Sequence, residues 1–175
     1  GRGITRAVHT VSDADGVVCV ESCPVGVDLA TSVTLYIPEA RRQLWGPGHP
    51  HLYSVEIKLL EADGAVTDCA SSYAGLRSVS IDGQAIRING EVVFQRLVLD
   101  QGYYPDGIMT APSDDALVAD IQLSLDAGFN GARLHQKVFE ERFLYHADRM
   151  GYLAWGEFAD WGCSGHGPKD GEHQT

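Results

Sequence analysis

The amino-acid sequence predicts an antiparallel β-sandwich followed by an α/β unit with a parallel sheet. Up to about residue 75, short β-branched runs are separated by turn residues, and few helical periods occur. From residue 76 onwards, strand-like and helix-like segments alternate. Consecutive strands begin roughly 30 residues apart, which is the size of a βαβ unit. The length of 175 residues and the hydrophobic fraction of 44% suit one globular domain or two small ones.

The chain is acidic, with a formal net charge of −11 and a sequence pI of about 4.9. This charge argues against nucleic acid as a partner, because phosphate-binding surfaces need clustered Lys and Arg. A neutral ligand such as a sugar is compatible with it. No apolar run approaches the ~20 residues that cross a bilayer, so we expect no membrane partner. The opening Gly-Arg-Gly shows no signal-peptide pattern, and no compartment follows from it.

Four cysteines are scattered along the chain without a CxxC motif, and their spacing does not match a zinc site. We therefore predict no metal and no cofactor. Buried free thiols are the favoured interpretation, and a bridge between Cys19 and Cys69 is the alternative, because both fall in strand-like runs. The remaining two are Cys23 and Cys163.

The first part of the chain is interpreted as a sandwich that lacks some of its N-terminal strands. Residues 54–60 alternate apolar and polar side chains, as a half-buried strand does, and the Asp-Gly pair at 63–64 predicts a hairpin turn. The loop 44–53 contains two prolines and two glycines, and we expect its Trp45 to pack the end of the sandwich, with sugar stacking as the alternative. The predicted strands are Val17–Val20, Ser32–Ile37, Ser54–Leu60 and Val66–Tyr73.

Two helices separate the strands of the second part. Ser113 is a candidate N-cap of the first helix, whose apolar residues recur every four positions until Gly128 ends it. The second helix is predicted over Glu140–Met150 and ends at Gly151. Before these elements, the segments 81–84 and 88–91 flank short strands, and the Asn-Gly pair in the second segment predicts a turn. The predicted strands are Val92–Leu99, Phe129–Leu134 and Tyr152–Gly156, and residues 162–175 are predicted as loop or disorder.

Polar side chains follow each strand of the predicted parallel sheet. Because the carboxyl ends of parallel strands share one edge, we expect these side chains to form a binding site. Carboxylate, amide, imidazole and guanidinium groups suit the recognition of hydroxyl groups, and Trp155 and Trp161 lie nearby as stacking faces. The candidate binding residues are Asp100, Gln101, Arg133, His135, Gln136 and Glu157.

Structural roles compete with this interpretation. Arg133 could pair with Asp100 or Glu157 and lock the strands together, and His135 suits a core hydrogen bond as well as a ligand contact. Asp148, at the end of the second helix, is interpreted as structural. A different small α/β enzyme that uses Asp100 and Glu157 as its catalytic pair is a further alternative.

Six motifs in this order, from residue 44 to residue 157, resemble glycoside hydrolase family 2, which includes β-galactosidases, β-glucuronidases and β-mannosidases. The resemblance implies an immunoglobulin-like β-sandwich over residues 1–75 and the first three βα units of a (β/α)8 TIM barrel over residues 76–161. The motifs are Leu44-Trp45-Gly46-Pro47 with Pro50-His51-Leu52-Tyr53, Tyr73-Ala74-Gly75-Leu76-Arg77, Ile88-Asn89-Gly90, Gly128-Phe129-Asn130-Gly131-Ala132-Arg133, Ala147-Asp148-Arg149-Met150-Gly151 and Trp155-Gly156-Glu157.

The resemblance implies a retaining hydrolase of β-glycosidic bonds that uses two glutamates, one after the fourth barrel strand and one near the seventh. Neither position exists in this chain. We therefore predict no catalytic residue here and expect a fragment of a longer enzyme that is inactive alone. A carbohydrate is the expected partner, and a homo-oligomer of the parent protein is compatible with it. A non-catalytic carbohydrate-binding or assembly module is the alternative.

Two departures from the family pattern bear on the sugar. Gln136 stands where members often show a histidine after the second strand. Asp100-Gln101-Gly102-Tyr103 replaces the histidine-bearing loop that often follows the first strand. Both departures indicate a subgroup with a different sugar.

Overall fold

The computed structural model describes residues 3–26 and 30–159, and the chain separates into two compact units. The first unit comprises Gly1–Trp45 with His51–Arg77, and the second comprises Gly46–Pro50 with Ser78–Thr175. The domain limits drawn from the sequence, 1–75 and 76–161, stay a prediction. The predicted loop or disordered tail at 162–175 lies outside the described residues.

The first unit is built on a four-stranded antiparallel sheet with the strand order β2-β1-β3-β4. The predicted strands around Val18, Ile57 and Ala70 are confirmed, and so is the hairpin at 63–64, where Gly64 adopts a φ of 86°. The first strand was missed by the sequence reasoning. The sheet is consistent with one layer of a β-sandwich, and its immunoglobulin-like character stays a prediction. The strands are β1 (Ile4–Asp13), β2 (Gly16–Pro24), β3 (Tyr53–Glu61) and β4 (Val66–Ala74).

The strand predicted over Ser32–Ile37 is wrong, because this segment joins no hydrogen-bonded ladder in the described ranges. The alternation that suggested a strand is nevertheless present. Val33, Leu35 and Ile37 are half-buried, whereas the residues between them are exposed. An alternation of apolar and polar residues shows only which side chains are buried. A strand also needs a neighbouring backbone with which it can form hydrogen bonds.

The loop before β3 packs as the sequence predicted. Trp45 and Tyr53 are 2% and 0% exposed, so the Trp45 ring offers no open face for a sugar. The Tyr53 hydroxyl donates to the carbonyl of Arg41 and accepts from the backbone N–H of Gln43, each at 2.7 Å. The guanidinium of Arg77 lies 4.9 Å from the centre of the Trp45 ring. These contacts give Trp45 a packing role.

The cysteines of the first unit are free thiols, as predicted, but their predicted burial is wrong, because Cys19 and Cys23 are half-buried and Cys69 is exposed. Cys19 lies on β2 and Cys69 on β4, which are the opposite outer strands of the sheet. The alternative of a bridge between them is therefore wrong, because two strands separate their backbones. Cys163 lies outside the described residues.

The second unit contains a small antiparallel sheet and a three-stranded parallel sheet with the order β10-β9-β8. Asn89 and Gly90 adopt φ values of 55° and 84°, which confirms the predicted Asn-Gly turn. The antiparallel strands are β5 (Val79–Asp82), β6 (Ala85–Ile88) and β7 (Glu91–Val92). The parallel strands are β8 (Leu97–Asp100), β9 (Gly131–Leu134) and β10 (Leu153–Gly156), and the helices are α1 (Asp114–Asp126) and α2 (Glu141–Met150).

The predicted strand–helix–strand–helix–strand order is confirmed, although β9 and β10 are shorter than predicted. The Ser113 hydroxyl accepts a hydrogen bond from the backbone N–H of Ala116 at 3.2 Å, as an N-cap does. Gly128 and Gly151 follow the two helices with φ values of 89° and 70°. Neither helix among the described residues has the length and apolar character needed to cross a bilayer. One face of the parallel sheet packs on both helices through a core formed by Leu117, Ile121, Ala132, Leu134, Phe143 and Ala147.

The prediction of one continuous strand over Val92–Leu99 is wrong. Val92 ends β7 and Leu97–Leu99 belong to β8, as predicted, but residues 93–96 between them are in neither strand. Asn130 explains the break. Its side-chain oxygen accepts from the backbone N–H of Arg96 at 2.8 Å, and its side-chain nitrogen donates to the carbonyl of Phe94 at 2.9 Å. A side chain therefore satisfies backbone groups that a strand partner would otherwise pair. The described part of the second unit contains three parallel strands, and their assignment to the first three βα units of a (β/α)8 barrel stays a prediction.

Candidate functional site

Parallel pairing brings the ends of β8, β9 and β10 to one edge of the sheet. Asp100 pairs with Leu134, and Leu134 pairs with Gly156, so the three strands end in register. Every candidate binding residue predicted from the sequence lies at or within two residues of this edge. The edge is therefore the candidate site.

Arg133 and Glu157 form the central ion pair of the site. The Nε of Arg133 donates to Oε1 of Glu157, and the backbone N–H of Gln136 donates to Oε2 at 3.1 Å. One carboxylate thus joins the end of β10 to the end of β9. Of the two partners considered for Arg133, the structure has Glu157 and not Asp100. The Arg133 side chain is still 47% exposed, against 19% for Glu157.

These contacts set the charge state of Glu157. The hydrogen bond from Arg133, followed by that from the Gln136 N–H, holds the pKa of the Glu157 carboxyl below its usual value. The carboxylate is ionised at neutral pH and keeps both donors. A glutamate in this state is suited to fixing positive and N–H groups, and it is unsuited to donating a proton near pH 7.

The corner after β9 is held from both neighbouring strands. The backbone N–H of His135 donates to the carbonyl of Asp100 on β8 at 2.8 Å. Gln136, on the side of β10, adopts a φ of 56°, which is a left-handed conformation that few residues other than glycine occupy. Such a conformation persists where its surroundings fix it, and it is frequent at binding sites. His135 is half-buried, and its imidazole adds to the positive charge that acts on Glu157.

Asp100 lies on the other side of the sheet. Side chains alternate along a strand, and the pairing of Asp100 with Leu134 places it on the face that packs against the helices. Its Oδ1 accepts from the backbone N–H of Gly102 at 2.7 Å and closes a turn. Burial raises the pKa of the Asp100 carboxyl, the Gly102 N–H opposes this, and the negative charge of Asp120 adds to the rise.

Lys137 is a residue of this edge that the sequence reasoning missed. Its Nζ donates to the carbonyl of Gly102 at 3.0 Å and to that of Met109 at 2.8 Å, and it lies 4.9 Å from the centre of the Phe139 ring. It therefore connects the corner after β9 to the loop after β8, which begins with the exposed Gln101. Its only signal in the sequence was its position directly after the candidate cluster.

Leu99, Arg133 and Trp155 are paired across the three strands and share one face of the sheet. Leu99 is 51% exposed and Trp155 is 50% exposed, so this face is open within the described residues. It presents a guanidinium next to an indole ring, which together can bind a hydroxyl group and stack on an apolar sugar face. Trp161, the second predicted aromatic, lies outside the described residues.

The geometry does not support Asp100 and Glu157 as a catalytic pair. They lie on the outer strands with β9 between them, and their side chains leave opposite faces. Neighbouring strands are about 4.8 Å apart, so the two backbones are separated by roughly 10 Å. Retaining hydrolysis needs carboxyl groups about 5–5.5 Å apart on either side of one bond.

Comparison with known proteins relates the chain to a family. Residues 6–77 match the family model for glycosyl hydrolases family 2. The chain is 34% identical to the β-galactosidase of Erwinia tasmaniensis over 92 residues, 51% of this chain. It is 30% identical to the β-glucuronidase of Paenibacillus borealis over 129 residues, 73% of this chain.

The chain belongs to glycosyl hydrolases family 2. The resemblance recognised in the sequence motifs is thereby confirmed. This family member spans only part of its curated relatives, covering 9% of the Erwinia tasmaniensis protein and 21% of the Paenibacillus borealis protein.

The fold of this family member is similar to that of solved β-glucuronidases. The structure of Bifidobacterium dentium β-glucuronidase complexed with coumarin-3-O-glucuronide matches 86% of this chain and 24% of its own, with a TM-score of 0.77 and 22% identity. The Parabacteroides merdae β-glucuronidase matches 89% of this chain with a TM-score of 0.75 and 19% identity. At such identities the likeness concerns the fold alone.

Proposed function

We propose that the chain forms one wall of the sugar pocket of a retaining β-glycosidase. The observation that carries this proposal is the Arg133–Glu157–Gln136 cluster at the carboxyl edge of a parallel sheet, in a member of glycosyl hydrolases family 2. Ligands of α/β sheets bind at this edge. Asp100, Gln101, Arg133, His135, Gln136 and Glu157 are the residues that we assign to this wall, as contacts or as their supports.

The finer fold that we propose is an immunoglobulin-like sandwich followed by the first three βα units of a (β/α)8 barrel. The antiparallel sheet β2-β1-β3-β4 supports the first part, and the β8-α1-β9-α2-β10 order supports the second. The open face that carries Leu99, Arg133 and Trp155 also fits this proposal, since the interior face of a barrel strand is covered only when the remaining strands are present.

The reaction that we propose for the whole protein is hydrolysis of a β-glycosidic bond with retention, by two carboxyl groups acting as acid/base and nucleophile. Neither group is assigned to this chain. Glu157 is held ionised by two donors, which makes it unsuited to the acid/base role, and Asp100 leaves the other face of the sheet, so the two do not form the required pair. We therefore assign the two catalytic glutamates to other segments of the whole protein. We expect this chain to be inactive alone.

A chimera tests the proposal directly. In the chimera, this chain replaces the segment of the Paenibacillus borealis β-glucuronidase that aligns with it. The remainder of that enzyme is kept. We expect the soluble chimera to hydrolyse at least one member of a panel of nitrophenyl β-glycosides, and we expect Arg133→Ala to reduce kcat/KM about 100-fold. A folded chimera that hydrolyses none of the panel would contradict the proposal. Arg142→Ala, which removes an exposed arginine on α2, is the matched control.

The 175-residue chain alone provides the second arm of the experiment. We expect no turnover of the same glycosides, and clear turnover would contradict the assignment of the glutamates to other segments. Calorimetry with methyl β-glycosides distinguishes the alternative, a non-catalytic carbohydrate-binding module. Millimolar or tighter binding by the chain, together with a folded but inactive chimera, would favour that module.

A further inference from the structure

We infer that Glu157 is a positioning residue, which acts on a bound sugar through the corner after β9 and makes no contact with the sugar itself. This inference rests on the proposed function, because it divides the residues of the proposed pocket wall into contacts and supports. It assigns the contacts to Arg133 and Gln136. In this inference, Glu157 holds Arg133 and Gln136 in the conformation that binds the sugar.

The hydrogen bonds of the carboxylate are the first reason. Each oxygen of Glu157 accepts from a different donor, Oε1 from Arg133 and Oε2 from the backbone of Gln136. Both donors lie at the end of β9, whereas Glu157 follows β10. The Glu157 side chain is only 19% exposed, against 47% for Arg133, so a sugar hydroxyl reaches the guanidinium more readily than the carboxylate behind it.

The backbone of Gln136 is the second reason. A side chain at a φ of 56° is directed differently from one in an extended strand, so the conformation of residue 136 decides where its amide points. Two bonds fix this conformation. One joins His135 to the carbonyl of Asp100, and the other joins Gln136 to Glu157. Without the second bond, the corner would keep its backbone hydrogen bond to β8 and lose the one to Glu157.

The remaining capacity of Arg133 is the third reason. Its bond to Glu157 uses Nε, which is one of the five N–H donors of a guanidinium. Because the side chain is 47% exposed, the other donors are accessible to a ligand. Glu157 therefore orients the guanidinium and leaves its outer edge available, which is the arrangement expected of a support behind a contact residue.

An amide cannot replace the carboxylate. Both partners of Glu157 are N–H donors, and the NH2 group of an amide would oppose one of them. Glu157→Gln therefore removes at least one of the two bonds while it keeps the shape of the side chain. Glu141→Gln is the matched control, since Glu141 is an exposed carboxylate in the first turn of α2.

NMR of the 175-residue chain supplies a test that requires no sugar. The amide proton of Gln136 should titrate with Glu157, and its midpoint should fall below the ordinary glutamate value of about 4.3 because Arg133 and His135 stabilise the charged form. Glu141→Gln should leave this titration in place, and Glu157→Gln should abolish it. A Gln136 amide whose shift does not follow Glu157 would overturn the inference.

A mutant cycle in the chimera separates support from contact. If Glu157 acts only through Arg133 and Gln136, we expect Glu157→Gln to lower kcat/KM about 100-fold in the parent chimera and to have almost no further effect in the Arg133→Ala/Gln136→Ala background, in which both contacts are already removed. An effect of Glu157→Gln that is undiminished in that background would overturn the inference, because it would indicate an independent sugar contact. An inactive chimera would contradict the proposed function, and the NMR titration would then decide whether Glu157 holds the backbone of Gln136.

Discussion

The Nζ of Lys137 lies 3.0 Å from the carbonyl oxygen of Gly102, and this contact connects the loops that follow two neighbouring parallel strands. The same Nζ also holds the carbonyl of Met109. A single lysine therefore fixes both ends of the loop over residues 102–109. The position of this loop next to the candidate site depends on a residue that belongs to the other strand.

Replacing Lys137 by methionine should loosen this loop and leave the rest of the second unit intact. The aliphatic stem of the new side chain can still pack on Phe139, whereas the two charge-assisted hydrogen bonds are lost. We expect faster hydrogen exchange over residues 102–109, measured by mass spectrometry, and a stability loss of about 1–3 kcal/mol. Lys58→Met removes a surface ion pair on β3 and should change neither quantity by much. Unchanged exchange in the Lys137 variant would refute this role.

Gly102 has no room for a side chain. Its φ is 58°, and an added Cβ would lie 2.7 Å from Nζ of Lys137 and 2.9 Å from Cζ of Phe139. Gly102→Ala should therefore lower the free energy of unfolding more than Gly83→Ala. Gly83 has a similar φ of 62°, but an added Cβ there would meet no atom within 4 Å. We expect both variants to lose about 1–2 kcal/mol of stability because of the left-handed backbone conformation. Only Gly102→Ala should lose more, because of the close contacts around its new Cβ. Urea denaturation measures the difference, and equal losses would show that the contacts around Gly102 relax freely.

Asn130 should stabilise the parallel sheet through its side-chain amide. Its two side-chain bonds satisfy the N–H of Arg96 and the carbonyl of Phe94. Its own backbone carbonyl accepts from Leu153 at the start of β10. Asn130→Ala should lower the free energy of unfolding by about 1–3 kcal/mol, as expected for two lost bonds at an exposed site.

Asn130→Asp is the matched variant for this prediction. A carboxylate keeps the acceptor for the N–H of Arg96 but turns an oxygen toward the carbonyl oxygen of Phe94, so Asn130→Asp should lose at least as much stability as Asn130→Ala. A clearly smaller loss for the aspartate variant, measured by urea denaturation at neutral pH, would contradict the assignment of the Phe94 bond to stability.

Asp100→Asn should stabilise the chain at neutral pH. The amide keeps an oxygen for the N–H of Gly102 and removes a half-buried charge that Asp120 repels. Because the pKa of Asp100 is raised in the folded state, the native protein loses stability as the pH rises from the unfolded pKa through the folded pKa. The advantage of the variant should therefore be complete above that window and disappear as the pH falls through it. Thermal unfolding between pH 3 and pH 8 measures this, with Asp106→Asn as the exposed control, and an advantage that grows in acid would contradict it.

Local patterns in the sequence were sufficient for most of the elements. Ser113, Gly128 and Gly151 set the limits of the two helices because capping and left-handed glycine positions depend on residues close in the chain. The two patterns that failed were both strands. Residues 32–37 lack a ladder partner in the described ranges, and the run from Val92 to Leu99 is interrupted by Asn130, which lies more than 30 residues away in the sequence. Neither cause is visible in a local window.

The sequence by itself determined the family, the β8-α1-β9-α2-β10 order and the edge of the sheet at which the polar residues gather. Family and element order follow from motifs and periodicities that are carried within short stretches. Only the tertiary structure decided that Arg133 pairs with Glu157, that Asp100 leaves the opposite face and that Lys137 connects two loops. Those facts depend on which strands are neighbours, in which register they pair and toward which face each side chain points, and such relations join residues that are far apart in the chain.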